Sequence, residues 1–107
     1  NLFLTGLGQH AGAAVVKDVR DSSGVEIEFA EVNVREPKAM KDLHDRAFAR
    51  FGRIDIAFNN AGIPGKTAPV QDLEESDFYD LIDVNLKGIF LGTGMQTLLV
   101  EVDVERM

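Results

Sequence analysis

Two short segments of the chain carry side chains that could take part in chemistry. The first, Asn59-Asn60-Ala61-Gly62, follows directly on an apolar run over residues 54–58. The apolar run is rich in β-branched and aromatic residues and predicts a short buried strand. Open parallel sheets bind ligands outside the carboxyl ends of their strands, where small residues allow a ligand to approach the backbone. Residues 59–62 therefore predict a ligand-binding loop.

The second segment is Asp83-Val84-Asn85-Leu86-Lys87-Gly88, in which Asn85 follows Asn60 by 25 residues. Residues 74–92 have helical periodicity, and Asn85 falls in the middle of the predicted buried stripe. A polar amide in an apolar stripe must find hydrogen-bond partners or lower stability. Two interpretations stay open, namely an amide held rigidly at an active site and a core Asn satisfied by carbonyls or water. The apolar residues of the stripe are Phe78, Leu81, Ile82, Leu86 and Ile89.

The strands and helices that hold these two segments are predicted from hydrophobic periodicity and from the positions of glycine and proline. Strands are predicted over residues 1–5 and 25–34, and helices over 11–20 and from Pro37 to Gly52. Gly6-x-Gly8-x-x-Ala11 matches the dinucleotide fingerprint, in which glycines admit a pyrophosphate at a helix N-terminus. An ordinary Gly-rich turn explains the same spacing equally well. Alternating strands and helices predict a parallel sheet covered by helices.

Several other features are predicted to have no catalytic role. Residues 64–72 are predicted to be loop, and the alternating tail over residues 99–105 predicts a half-buried strand. His44 is predicted to lie on the polar face of its helix. Asp77, Asp80 and Asp83 are predicted to form a solvated face, and no metal site is predicted.

Composition limits the classes of function. The net charge of −7 argues against nucleic-acid binding, which needs a basic surface. Cysteine is absent, so disulfides and thiolate metal sites are excluded for these 107 residues. No apolar run is long enough to cross a membrane and no signal peptide is visible, so the prediction is a cytoplasmic protein. The chain starts at Asn1 inside a strand, which predicts further residues before it.

The paired segments resemble the short-chain dehydrogenase/reductase family. Its N-N-A-G motif matches residues 59–62, its D-V-N-L-K-G motif matches 83–88, and continuous similarity runs from about Val25 to Gly92. The resemblance implies an α/β fold, a Rossmann-like parallel sheet with helices on both faces. It also implies hydride transfer between NAD or NADP and a small-molecule alcohol or carbonyl substrate, and a homo-oligomer, either a dimer or a tetramer.

The resemblance assigns roles residue by residue. Asn85 matches the catalytic Asn, which the family uses to hold a helix kink and a water molecule in a proton relay. Asn33 stands where the family has an Asp beside the adenine, so a hydrogen-bonding group is kept and a charge is lost. The cofactor-binding positions implied in this way are Thr5, Gly6, Asn33, Val34, Asn60, Ala61 and Gly62.

The chain departs from the family at several positions. His10 replaces a Gly of T-G-x-x-x-G-x-G, and the stretch from Gly6 to Asn33 is about twenty residues too short for the family's helix, second strand and helix. The family's Ser and Tyr-x-x-x-Lys are absent, since four residues after the single tyrosine, Tyr79, stands Asp83. Residues 1–107 are therefore predicted to be one partial dinucleotide-binding domain, with segments missing near 6–7 and 93–94.

The predicted function is that of an NAD(P)-dependent oxidoreductase. The alternative is a truncated, non-catalytic nucleotide-binding or interaction module, which would bind a cofactor or partner without turnover. The Tyr-x-x-x-Lys segment distinguishes the two, because a carbonyl substrate needs a general acid/base for proton transfer. The sequence decides neither the substrate nor the choice between NAD and NADP.

Overall fold

The computed structural model describes the backbone of residues 1–99 and the side chains of residues 1–94. The two predicted N-terminal strands and the two helices that follow them are confirmed. The elements are β1 (Leu2–Gly6), α1 (Gln9–Ser23), β2 (Ile27–Glu31), α2 (Pro37–Phe51), α3 (Glu75–Ile82) and α4 (Gly88–Leu99), with a 3-10 turn at Val70–Asp72 and a π-helical turn at Asp83–Lys87.

The two strands form a parallel pair, with Leu2 opposite Ile27 and Gly6 opposite Glu31. Parallel strands need a long crossover, which α1 supplies. Helix α1 ends at Gly24, whose φ of 69° is a left-handed conformation that glycine adopts without strain. It packs closely on the sheet, since a Cβ on Gly12 would collide with the ring of Phe29.

The opposite face of the sheet is covered by α2 and α4. Ala30, Val32 and Met40 form the buried cluster, which Phe3 of β1 and Leu91 of α4 complete. Phe29 and Ala30 are neighbours in β2 and point to opposite faces, as strand geometry requires. The sheet therefore carries helices on both faces, as the sequence predicts.

The predicted buried strand at residues 54–58 is wrong. Residues 53–67 have no regular secondary structure, and the side chains of Ile56 and Phe58 are 88% and 87% exposed. A strand exists only where a neighbour accepts its backbone hydrogen bonds, and β1 and β2 pair only with each other within residues 1–99.

The helix predicted over residues 74–92 is confirmed as an unbroken helical run over residues 75–99, but its pitch is not uniform. The π-helical turn at Asp83–Lys87 separates α3 from α4, and the Gly88 N–H bonds to the Asp83 carbonyl five residues back. One extra residue per turn rotates everything after it by about 100°. The predicted buried stripe is not observed: Leu86, in the turn, and Ile89, after it, are exposed, and so is Phe78, which precedes the turn.

His44 does not lie on the polar face, as the sequence suggests, but is buried with a relative exposure of 7%. Its Nδ1 lies 2.7 Å from the Met40 carbonyl one turn earlier, and this hydrogen bond makes burial tolerable. The predicted strand over residues 99–105 lies outside the described residues, except for Leu99 at the end of α4.

Candidate functional site

Asn85 joins the two segments singled out in the sequence. Its side-chain Nδ2–H donates to the Ile63 carbonyl, and its Oδ1 accepts from the Ile63 N–H, each at 2.8 Å. The amide thus pairs with both backbone groups of one residue, as a neighbouring strand would. Gly62 lies against the same oxygen, because a Cβ there would be 3.3 Å from Oδ1. Residues 61–63 are therefore held in place by a single side chain.

The π-helical turn presents Asn85 to this loop. In an α-helix each backbone carbonyl accepts a hydrogen bond from the N–H four residues later. In a π-helical turn the donor is the N–H five residues later, so the residues of the turn are displaced by one position. Such turns occur frequently at functional sites. Here the turn places a half-buried Asn85 opposite Ile63 and leaves its neighbour Leu86 exposed.

Two glycines of α4 bring other predicted site residues close. A Cβ on Gly88 would lie 2.9 Å from Cγ2 of Val34, so the chain after β2 contacts the start of α4. A Cβ on Gly92 would collide with Oδ1 of Asn59. Gly88 and Gly92 lie one turn apart on α4 and have no side chains, so this helix can approach both Val34 and Asn59.

An ion-pair cluster fixes the same region electrostatically. One nitrogen of Arg35 lies 3.0 Å from Asp80 Oδ1 and 3.2 Å from Asp83 Oδ2. The hydrogen bond to Asp83, together with the charge of Asp80, raises the pKa of Arg35. Asp80 and Asp83 are therefore not simply a solvated face, since they tie the loop after β2 to the helix that carries Asn85.

Thr5, Gly6 and Asn33 lie at the carboxyl edge of the sheet. Thr5 and Gly6 end β1, and Asn33 follows β2 by two residues. The Asn33 Oδ1 accepts from the Arg35 N–H at 3.1 Å, forming a local turn that shapes this edge. Asn60 and Ala61 are exposed in the loop that Asn85 holds.

The Gly6-x-Gly8-x-x-Ala11 turn does not have the electrostatics of a phosphate cradle. The Gly8 N–H, at the start of α1, donates to Glu31 Oε1 at 3.3 Å. A carboxylate beside the helix N-terminus occupies a donor that a pyrophosphate would use and repels its charge. The local geometry therefore favours an ordinary strand–helix turn.

The structure brings two of the predicted site residues, Asn85 and Gly62, into direct contact. Val34 contacts Gly88 beside the π turn, while Thr5 and Gly6 lie at the neighbouring strand end. Sequence reasoning missed Ile63, Arg35, Gly88 and Gly92 as positioning residues. Glycines four apart on a helix were the available signal, because such spacing permits close backbone approach.

Other groups that could carry chemistry take no part in these contacts. Tyr79 lies on α3 with its ring edge-on to Phe78, 5.6 Å between centroids. Among the residues that the structure describes, no three His, Cys, Asp or Glu side chains converge as metal ligands. Within residues 1–99 no helix is both long and apolar enough to cross a bilayer.

Comparisons with known proteins identify the class of protein to which this fold and this arrangement of residues belong. The family model described as short chain dehydrogenase matches residues 1–102. A 3beta-hydroxysteroid dehydrogenase of Mediterraneibacter gnavus is 36% identical over 85 residues, which cover 79% of this chain and 30% of that protein. The chain belongs to the short-chain dehydrogenase family.

Solved structures agree with this assignment. An NAD+-bound xylitol dehydrogenase superposes with a TM-score of 0.86 at 31% identity, covering 91% of this chain and 37% of its own. A variant of actinorhodin polyketide ketoreductase with NADPH gives a TM-score of 0.83 at 28% identity, covering 89% and 36%. The predicted Rossmann-like fold is confirmed, and residues 1–107 span about a third of the length of these proteins.

Proposed function

We propose that this protein is an NAD(P)-dependent oxidoreductase that transfers a hydride between NAD or NADP and a small alcohol or carbonyl compound. The observation that carries the proposal is the Asn85 clamp on Ile63, which joins the Asn60-Ala61-Gly62 loop to the π turn. Family membership supports it, and the two cofactor-bound structures show that relatives hold either NAD+ or NADPH.

The residues at the carboxyl edge fit part of a dinucleotide. Small residues, the half-buried Gly6 and the exposed Ala61 and Gly62, leave backbone accessible at the carboxyl ends of the strands. Asn33 and Asn60 offer neutral hydrogen-bonding groups for adenine or ribose, whereas the Gly8 turn with its Glu31 contact suits a hydroxyl better than a phosphate. Residues 1–107 therefore fit the nucleoside portions, with Thr5, Gly6, Asn33 and Val34 on one side and residues 60–62 on the other.

The chain's own residues position the cofactor rather than transform it. The bound nicotinamide supplies the hydride chemistry. Asn85 holds residues 61–63 through two hydrogen bonds, and the Arg35 cluster holds the π turn that carries Asn85. We infer that Asn85 acts chiefly as a positioning residue, because both polar atoms of its amide are used by Ile63.

A non-catalytic binding module is the second candidate, and one observation favours it. Proton transfer to a carbonyl substrate needs an acid near the hydride, and the single tyrosine, Tyr79, has its ring edge-on to Phe78 and is followed four residues later by Asp83 rather than by Lys. If the natural polypeptide ends with these 107 residues, it binds nucleotide without turnover. A cytoplasmic location, a homo-oligomeric assembly and the absence of nucleic-acid and membrane partners belong to the same proposal.

The decisive experiment is the intact mass of the protein purified from its source, followed by titration with NADH and NADPH. Enhanced cofactor fluorescence with a dissociation constant below about 1 mM supports the proposal. Asn85→Leu should weaken binding about tenfold, because the loss of two hydrogen bonds frees residues 61–63. Gln71→Leu, an exposed amide in the 3-10 turn, is the matched control and should leave binding unchanged.

The outcomes of this experiment distinguish between the two candidate functions. A mass of at least about twice 11.7 kDa together with turnover of a carbonyl supports the oxidoreductase. A mass near 11.7 kDa with cofactor binding and no turnover selects the binding module. Binding of neither cofactor by the intact protein overturns both.

A further inference from the structure

Glu31 places a carboxylate beside the turn that follows the neighbouring strand. Gly6, the last residue of β1, lies opposite Glu31, the last residue of β2, in the parallel register. The Gly8 N–H donates to Oε1 of Glu31 at 3.3 Å, so the side chain extends from β2 across to the turn between β1 and α1. One oxygen of this carboxylate is therefore held by backbone at the carboxyl ends of the strands.

The second oxygen of the same carboxylate, Oε2, can accept a hydrogen bond from a ligand. Glu31 is exposed, and among the side chains of residues 1–94 none bonds to its Oε2. The space beside it is open, because no atom beyond the adjacent residues lies within 4 Å of the position that a Cβ on Gly8 would occupy. A ligand with a hydrogen-bond donor therefore has access to Oε2 from solvent.

The negative charge at this turn is not balanced by a neighbouring cation of the described chain. Residues 5–12 contain no Asp, Glu, Lys or Arg, so the charge comes only from β2. Lys17 lies eight residues into α1, about 12 Å along its axis, and pairs with Asp21. Arg35 directs one nitrogen to both Asp80 and Asp83. Both cations are therefore engaged with other carboxylates.

NAD and NADP differ in one group, at the 2′ position of the adenosine ribose. In NAD this group is a hydroxyl, which can donate a hydrogen bond to a carboxylate oxygen. In NADP it is a phosphate, which a nearby arginine accommodates in proteins that bind it. A carboxylate repels the negative charge of the phosphate and has no proton to donate to it. An unneutralised carboxylate at the ribose thus distinguishes the two cofactors.

We propose that Glu31 determines the choice of cofactor: its Oε2 accepts a hydrogen bond from the 2′-hydroxyl of the adenosine ribose, and the protein uses NAD and discriminates against NADP. The inference rests on the proposed oxidoreductase function, because it concerns the adenosine half of the same cofactor. It assigns the selection to the end of β2, across from a turn after β1 that has no charged side chain of its own.

The test is fluorescence titration of the intact natural polypeptide with NADH and with NADPH. The dissociation constant for NADPH should be at least about tenfold larger than that for NADH. Glu31→Gln keeps a side-chain oxygen for the Gly8 N–H and removes the charge, so the ratio of the two constants should fall about tenfold. Its NADH binding should weaken only a few-fold, which also shows that the variant is folded.

Glu26→Gln is the matched control for the change in net charge. Glu26 is exposed and lies five residues before Glu31, about 16 Å along an extended chain. Loss of its charge should leave the ratio of the two dissociation constants unchanged. Raising the ionic strength from about 0.05 to 0.5 M should reduce the discrimination in the wild type and in Glu26→Gln, because salt screens exposed charges, but not in Glu31→Gln.

Competition by two fragments locates the discrimination at the ribose. Adenosine 5′-monophosphate and adenosine 2′,5′-bisphosphate differ only in the 2′-phosphate and lack the nicotinamide half. The monophosphate should displace NADH from the wild type at a concentration at least about tenfold lower than the bisphosphate. In Glu31→Gln the two fragments should compete about equally.

Four results would overturn the inference. NADPH binding as tight as NADH binding contradicts it, and so does an equal change of the ratio in Glu31→Gln and Glu26→Gln. A preference for NADPH that Lys38→Met abolishes would assign recognition of the 2′-phosphate to Lys38, in the first turn of α2. These three leave the oxidoreductase proposal intact, whereas binding of neither cofactor overturns that proposal and this inference together.

Discussion

Two stretches with almost the same residue pattern adopt different structures in this molecule, one a strand with a buried face and the other an exposed loop. Strand β2 reads Ile-Glu-Phe-Ala-Glu over residues 27–31, and residues 54–58 read Ile-Asp-Ile-Ala-Phe. Ile27 and Ala30 are 5% and 3% exposed, whereas Ile56 and Phe58 are almost fully exposed. The first stretch has β1 as a hydrogen-bonded neighbour and helices on both faces, and the second has neither.

A segment therefore forms a strand only where a neighbouring strand pairs with it, even when its own sequence favours β structure. The β propensity of apolar runs reflects packing against neighbours on a pleated surface, and it is not realised where the neighbour is missing. Residues 59–63 keep their position through other contacts, which are the Asn85 clamp and the approach of Asn59 to Gly92. The loop is thus held by side-chain bonds at a place where the sheet does not hold it.

The difference in burial between the two stretches can be tested by making the same substitution, Ala to Asp, in each of them. Ala30→Asp buries an unpaired carboxylate in the core and should lower the free energy of unfolding by at least about 3 kcal/mol. Ala57→Asp, at an exposed position, should change it by less than about 0.5 kcal/mol. Urea denaturation of residues 1–107 measures both values. Equal losses at the two positions would mean that residues 54–58 are buried after all.

Close approach to α4 gives the next largest effect. Gly88→Ala places a methyl group within van der Waals overlap of Val34 and should cost about 1–3 kcal/mol. Gly94→Ala, in the same helix with open space around it, should instead stabilise by about 1 kcal/mol through helix propensity. Thermal unfolding of the two variants compares them. A stabilised Gly88→Ala variant would show that Val34 does not pack on α4.

Loss of the clamp is expected to be smaller and local. Asn85→Leu removes both hydrogen bonds to Ile63 and should lower the free energy of local opening of residues 61–63 by about 1–2 kcal/mol. The amide of Ile63 should exchange at least tenfold faster, while the amides of β2 exchange at the wild-type rate. Gln71→Leu serves as the control for adding an apolar side chain. Unchanged exchange at Ile63 would show that something other than Asn85 holds the loop.

The smallest effect concerns pH and the far end of the same loop. Asp77 accepts the Glu74 N–H at 2.9 Å and pairs with Lys66 at 3.3 Å, which lowers the pKa of its carboxyl below the ordinary 3.8. A carboxyl with a depressed folded-state pKa stabilises the fold above its unfolded pKa, and this stabilisation disappears as the pH falls through the folded-state pKa. Urea midpoints between pH 2 and 6 should therefore decline less for Asp77→Asn than for the wild type. Parallel profiles would contradict this role for Asp77.

The comparison also shows which parts of the site were predictable. The sequence predicts that the amide of Asn85 has hydrogen-bond partners, because a polar amide inside an apolar stripe needs them, but it does not predict where those partners lie. That Ile63 is the partner was not predictable, since nothing in its sequence position distinguishes it from Gly62 or Pro64. The π turn was missed because periodicity assumes one helical pitch throughout, and a single inserted residue changes the exposed face of everything after it.

Signals that act between neighbours along the chain were sufficient to predict β1, β2, α1, α2 and the family. Pro37 and Gly52 delimit α2, alternation defines β2, and the two Asn-containing segments mark the family, because these signals depend only on neighbours along the chain. Three outcomes could be read only from the packed structure: residues 54–58 are not a strand, His44 is buried, and the Gly8 N–H bonds to Glu31. Each of these outcomes depends on a partner distant in sequence, and a local pattern carries no information about whether that partner is in place.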